Sequence, residues 1–341
     1  MFLSSHSYIL KKVLLFFILV SIVFTSIFLF YKTYLYSKKE NNTKLVEQQV
    51  LMSTETTSQA VWDPKGSIYL SLAPNNGNDF GIYQYDISKN ILAPYSLLEK
   101  GIAFSGKFKT ATSEELLVSE IRGDETQITG IEGNIATTLT DSMIQKKRHP
   151  SYSVPYDALI YSGKEENAEA LGRPNEFNVY MQKAGNQEQK IAQGAMPILT
   201  PDGRSVVVLR NDGLYKIDLE DKSSEHIWKT ESDGVSFNQQ FSLSPNGKYI
   251  AWSYPDGGDI YVFEVSSWSP FEATFMYDIK SHAFWPIFSP DEKYIAFEEV
   301  DWTDPPTQAR LVIMNLATQE KRNLLDLTSF DQLSLFVDDW K

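Results

Sequence analysis

The sequence predicts an all-β fold, a six-bladed β-propeller, preceded by a single transmembrane helix. Three observations carry that prediction. A turn motif recurs at a near-constant spacing, strand-forming runs flank each copy at fixed offsets, and one long uncharged apolar run lies near the N-terminus. The motif reads Thr200-Pro201-Asp202-Gly203, Ser244-Pro245-Asn246-Gly247 and Ser289-Pro290-Asp291-Glu292, with prolines 44 and 45 residues apart. A repeat of about 40–45 residues holding several short strands is the length of one propeller blade.

The motif is a tight turn. Proline pre-sets φ at its first corner, Asp or Asn bonds its own nearby backbone, and Gly takes a left-handed conformation without a Cβ penalty. A short inner strand precedes each copy: Pro197-Ile198-Leu199, Phe241-Ser242-Leu243 and Pro286-Ile287-Phe288. A second strand follows each, over 206–209, 249–252 and 294–297, and a third over 213–218, 260–265 and 311–316. A more polar fourth strand ends the unit, as at 225–229.

Weaker copies lie upstream. Trp62-Asp63-Pro64-Lys65-Gly66 leads into 68–71, and Val154-Pro155-Tyr156-Asp157 into 158–161. Pro64 and Pro155 are 91 residues apart, two periods. One degenerate unit must therefore lie between them, and Thr112-Ser113-Glu114-Glu115 before 116–119 fills the slot. These turns are expected on one face of a closed ring, because closure leaves no long unpaired edge. The apolar residues of 330–341 suggest a closing strand.

The Ser/Thr-Pro-Asp/Asn-Gly-x-x-Ile-Ala-Phe/Trp pattern, best matched at 244–252 and 289–297, resembles the repeat of TolB-type six-bladed propellers. The same repeat builds the propeller of prolyl-oligopeptidase-family peptidases. The resemblance covers most of the chain after residue 60 and implies envelope-protein partners. TolB has a further N-terminal α/β domain where this chain has an apolar run and a short tether, which puts a Tol–Pal role in doubt. Blades are scaffolds, and function lies in sites built upon them.

The expected organisation is a short tail (1–12), a transmembrane helix (13–31), a polar tether (32–53) and the propeller (54–341). Residues 13–30 carry no charge and span about 27 Å as a helix, enough for a bilayer core, with Tyr31, Tyr34 and Tyr36 at the interface. The competing reading is a cleaved signal peptide. The run is longer than a usual signal core, no Ala-x-Ala-like site follows, and the absence of cysteine removes a lipoprotein anchor. Lys11 and Lys12 flank one side, and Lys32, Lys38 and Lys39 the other, so the count alone favours the wrong side for an exported domain. The family resemblance places the propeller outside the cytoplasmic membrane.

Charge excludes one class of partner. The first 60 residues hold six Lys/Arg and three Asp/Glu, so the net −13 of the chain becomes −16 for residues 61–341. An acidic globule is ill suited to nucleic acid, whose backbone needs a basic surface. No Gly-x-Ser-x-Gly occurs, and nothing beyond the sixth unit would hold a hydrolase domain, so a peptidase is not expected. His6, His149, His226 and His282 are the only histidines, without His-x-x-x-His spacing or a Cys pair, so neither a metal site nor a cofactor is expected. Asp63, Asp202 and Asp291 are repeat-turn residues and Asp256 sits in a similar turn, which suffices to explain them.

The expectation is a monomeric, non-catalytic propeller that binds a protein or peptide partner. The alternative is a small-ligand binder or enzyme using the channel mouth. Loops joining second to third strands, and blade to blade, emerge around one mouth, where binding sites are built on rigid scaffolds. Arg148, His149, Gln239, His282, Trp285, Asp301, Trp302 and Asp304 are the candidate binding residues on that rim. Aromatic strand residues such as Tyr249, Trp252, Tyr261 and Phe263 are assigned to packing between blades instead.

Overall fold

A computed structural model describes residues 62–341 apart from 73–80, 97–101, 111, 123–124, 133–134, 141–145, 165–173, 184–186, 230–239, 254–257, 270, 281, 302–307 and 327–335. The predicted span and tether lie outside the described residues. Among those described, no helix is long and apolar enough to cross a membrane.

The described chain is a β-propeller. Its strands are β1 (Ser67–Leu72), β2 (Gly81–Asp86), β3 (Ile91–Ser96), β4 (Ile102–Phe108), β5 (Leu116–Arg122), β6 (Glu125–Glu132) and β7 (Ile135–Thr138). Next come β8 (Lys146–Ser153), β9 (Ala158–Lys164), β10 (Asn178–Lys183), β11 (Gln189–Gln193), β12 (Ala195–Leu199), β13 (Ser205–Arg210), β14 (Gly213–Asp218) and β15 (Ser224–Lys229). The chain continues through β16 (Gln240–Leu243), β17 (Tyr249–Ser253), β18 (Ile260–Trp268), β19 (Phe271–Ile279), β20 (Ala283–Phe288), β21 (Tyr294–Asp301), β22 (Gln308–Asn315), β23 (Lys321–Asp326) and β24 (Phe336–Trp340).

Six separate blades are expected from the repeat, and four separate four-stranded sheets are found: β24-β1-β2-β3, β12 to β15, β16 to β19 and β20 to β23. The strands from β4 to β11 form one eight-stranded sheet, joined by a parallel pairing of Thr126 with Lys146. A polar seam accompanies the join. Lys147, wholly buried, donates to Gln127 Oε1 at 2.7 Å, and Thr140 Oγ1 donates to the same oxygen at 2.8 Å. Buried polar groups of this kind need partners, and here they find them across what would otherwise be a blade boundary.

The inner strands β24, β4, β8, β12, β16 and β20 follow one another around a central channel, each packed on the next. The C-terminal strand β24 pairs with the N-terminal β1, sealed by Ser67 N donating to Lys341 O and Trp340 Nε1 to Lys65 O, at 2.6 and 2.8 Å. Consecutive residues of each second strand face opposite junctions, as the period of two requires. Ile295 and Phe297 pack towards Ala251 and Val262, whereas Tyr294 and Ala296 pack towards Ile68 and Leu70. The apolar core is therefore distributed between neighbouring sheets.

The repeat turns meet at one mouth. Pro155 lies beside Gly203 and Pro201 beside Gly247, Glu292 accepts from Asn246 N at 2.7 Å, and Tyr294 Oη accepts from Asp63 N at 2.9 Å. Gly203 and Gly247 have φ of 65° and 68°, the left-handed conformation expected of them. Glu292 takes the same position at φ 55°.

Candidate functional site

The inner strands carry a second repeat, on the channel side. On three inner strands His149, Met196 and Trp285 stand four residues before Ser153, Thr200 and Ser289 at the strand's turn end, and each is followed by proline. All three have left-handed backbone, at φ 53°, 53° and 54°. Each falls in a bulge where the pairing register shifts: Arg148 to Ser151, Ala195 to Ile198 and Phe284 to Ile287. The proline has a use. An inner strand is a sheet edge, and Pro150, Pro197 and Pro286 remove a donor that would otherwise point unpaired at the bulge. Bulky side chains in left-handed backbone cost about 1–2 kcal/mol each. Bulges re-aim side chains, and these three are aimed at the channel.

The channel is a cavity of about 880 Å³, within the range of ligand-binding clefts. Its wall is tiered by strand register. His149, Met196, Gln240 and Trp285 form the upper tier. Lys107, Ser151, Ile198, Ser242, Ile287 and Asp339, one from each inner strand and two residues further along, form the middle tier. Below them Lys109, Thr200, Ser244 and Lys341 lead to the ring of turns.

Burial sets the electrostatics. His149 is neutral near pH 7, its pKa pushed down to about 3 by burial, with the Arg148 charge adding to the effect. Its Nδ1 lies 3.3 Å from Ser162 Oγ. Desolvation also raises the Asp339 carboxyl, while Lys107 pulls it back. Asp339 accepts backbone hydrogen bonds from Phe108 N and Trp340 N, both at 2.9 Å. Lys109 pairs with Glu115 at 2.8 Å and Lys341 with Glu114 at 3.3 Å.

Of the eight residues nominated from sequence, His149 and Trp285 line the channel. Trp285 also packs on the apolar cluster holding Leu70 and Leu311. Arg148 is next to the channel wall, and burial lowers its pKa. His282 is exposed at φ 42°, against Gly258, and its carbonyl accepts from Val300 N at 3.1 Å. Asp301 ends β21. Gln239, Trp302 and Asp304 lie outside the described residues. Met196, Gln240, Lys107, Ser242 and Asp339 were not nominated. Met196-Pro197 repeats the pattern of His149-Pro150 and Trp285-Pro286, so one of them was findable from spacing.

The fold is that of the TolB-like β-propellers. TolB from Acinetobacter baumannii superposes with a TM-score of 0.57 at 15% identity, over 76% of this chain and 63% of that one. A chain of the Nidogen/Laminin complex gives 0.57 at 8% identity, over 79% and 96%. Oligogalacturonate lyase in complex with manganese gives 0.52 at 10% identity, over 71% and 70%. This chain thus spans under two thirds of that TolB, and identities this low speak to fold alone. No protein-family model and no curated protein matches the sequence. Among the described residues no group of three His, Cys, Asp or Glu is placed to hold a metal ion.

Proposed function

We propose that this chain is a membrane-anchored propeller of six blades, the eight-stranded sheet counting as two, which binds a protein or peptide partner at the cell envelope. The observation that carries the binding reading is the channel's upper tier. Three large side chains are held in strained backbone at equivalent positions, all on the cavity wall. Strain repeated at one surface has to be offset by what that surface does. The TolB and Nidogen/Laminin likenesses support a propeller that engages proteins, and the uncharged run at 13–30 supports the anchor.

The test is affinity capture with the detergent-solubilised full-length protein, comparing the proteins retained by the parent with those retained by Trp285→Ala. A partner held by both in equal amount counts against the channel. The anchor has its own test. Full-length protein is expected to stay with membranes through alkaline and high-salt washes, since salt screens charge and leaves the hydrophobic contribution intact. A mature N-terminus mapped between residues 30 and 60 by mass spectrometry would instead make 13–30 a signal peptide.

A further inference from the structure

We infer that the middle tier of the channel is a carboxylate-binding subsite, which takes the C-terminal carboxylate of an extended, apolar-ended peptide. The inference rests on the channel being the partner-binding site. It begins with Lys107. Of the three lysines on the channel wall, Lys109 and Lys341 are neutralised by Glu115 and Glu114. Lys107 makes no ion pair within 4 Å among the described residues. Its charged neighbour is Asp339, both of whose oxygens already accept backbone N–H groups.

The second observation is Ser242. The residue lines the same cavity, and its hydroxyl is buried with no hydrogen-bond partner among the described residues. A buried hydroxyl without a partner is costly unless a ligand supplies one. In the order of inner strands, β16 stands three places from β4, so Ser242 and Lys107 lie at the same tier on opposite strands of the ring. Ser151, on the third polar position, is already committed to Pro197 O at 3.2 Å.

These features select the ligand. A cation and an unpartnered hydroxyl on one tier of the channel suit an oxyanion. A nearby carboxylate, Asp339, disfavours a doubly charged one such as phosphate, whereas a carboxylate carries a single charge. Ile198 and Ile287 complete the tier, and Met196 and Trp285 stand directly above. The group bearing the carboxylate is therefore apolar. A chain end can enter an axial channel lengthwise and place its terminus at mid-depth, with its last side chains against the upper tier. The net negative charge of the domain does not oppose this at contact range, because distant charges are screened beyond about 10 Å.

Isothermal titration calorimetry on the full-length protein tests the inference with three probes: N-acetyl-Leu-Leu-Phe as the free acid, its C-terminal amide, and N-acetyl-Leu-Leu-Phe-Asp-amide. The free acid is expected to bind about tenfold or more tightly than the amide, the size of one charge-assisted hydrogen bond. Lys107→Met is expected to erase that preference, so that acid and amide bind with a common affinity. Lys107→Arg should retain it, and Ser242→Ala should weaken the acid more than the amide. Acid and amide binding alike, or a preference that survives Lys107→Met, overturns the subsite, as does the absence of binding by either. The aspartyl amide binding as well as the free acid overturns the assignment to a chain terminus. If acid and amide bind equally and Trp285→Ala weakens both, the channel remains the binding site and the carboxylate subsite alone is wrong.

Discussion

Glu298 is expected to contribute roughly 4 kcal/mol less to the fold at pH 9 than at about pH 5, and Glu298→Gln is expected to abolish that dependence. Glu298 lies on β21, on the face shared with Tyr294, Ala296 and Val300, where that sheet packs on Leu70 and Leu72. It is 3% exposed, and its Oε1 has no hydrogen-bond partner among the described residues. Burial alone pushes its pKa from 4.5 up to about 8. The folded state therefore binds the proton more tightly than the unfolded chain. That contribution is complete below about pH 4.5 and is lost as pH rises through 8.

His149 acts with the opposite sign. Its folded pKa of about 3 lies below the model-peptide value of 6.5, so its contribution is present above pH 6.5 and lost as pH falls towards 3. The two slopes oppose between about pH 4.5 and 6.5, where stability is expected to peak. Urea denaturation of the parent and Glu298→Gln at pH 5, 7 and 9 measures this. Parallel pH dependences for the two proteins would show that Glu298 is not the group responsible.

Gly247→Val is expected to cost about 3 kcal/mol or more, the larger of two related effects. Gly247 sits at φ 68°, and a Cβ there would come within 2.5 Å of Pro201 Cγ and 2.9 Å of Trp268 Nε1. Neither neighbour yields easily. Pro201 belongs to the adjacent repeat turn, and Trp268 Nε1 donates to Gly247 O at 3.0 Å. Gly203→Val meets Pro155, with Cδ at 2.9 Å and Cγ at 3.3 Å, and should cost less, about 1–3 kcal/mol from the backbone alone. Thermal denaturation orders the two. An unchanged melting temperature in both would mean that the turns do not need their left-handed residue.

The turns and second strands were legible because each depends on residues close in sequence. Pro201-Asp202-Gly203 specifies its own geometry, and the alternation of Ile295 with Ala296 specifies which junction each faces. The joined sheet was not legible. It is accompanied by Lys147 meeting Gln127, twenty residues away and in a different repeat, and nothing local marks that pair. The middle tier was hidden for a related reason. Lys107 lies in the repeat that lacks the Pro-Gly turn, and Asp339 on a strand that pairs with the other end of the chain, so only register places them together. Trp285 was nominated for its position before an inner strand. Its left-handed backbone, shared with His149 and Met196, sets it apart from residues that only pack.

The measurement that most directly tests the channel as the binding site is the partner's dissociation constant for the parent, Trp285→Ala and Lys248→Ala, with melting temperatures taken on the same samples. Lys248 stands beside the repeat turn at the opposite mouth, exposed and 3.5 Å from Glu264. Trp285→Ala is expected to weaken binding about thirtyfold, as removal of an aromatic anchor does, with Lys248→Ala unchanged. Because Trp285 also packs on the core, the comparison holds where the variant remains folded at the assay temperature. Parent-like affinity in a folded Trp285→Ala would contradict the account, and would direct attention to the outer surface at Trp228 and Phe275, which are 38% and 51% exposed.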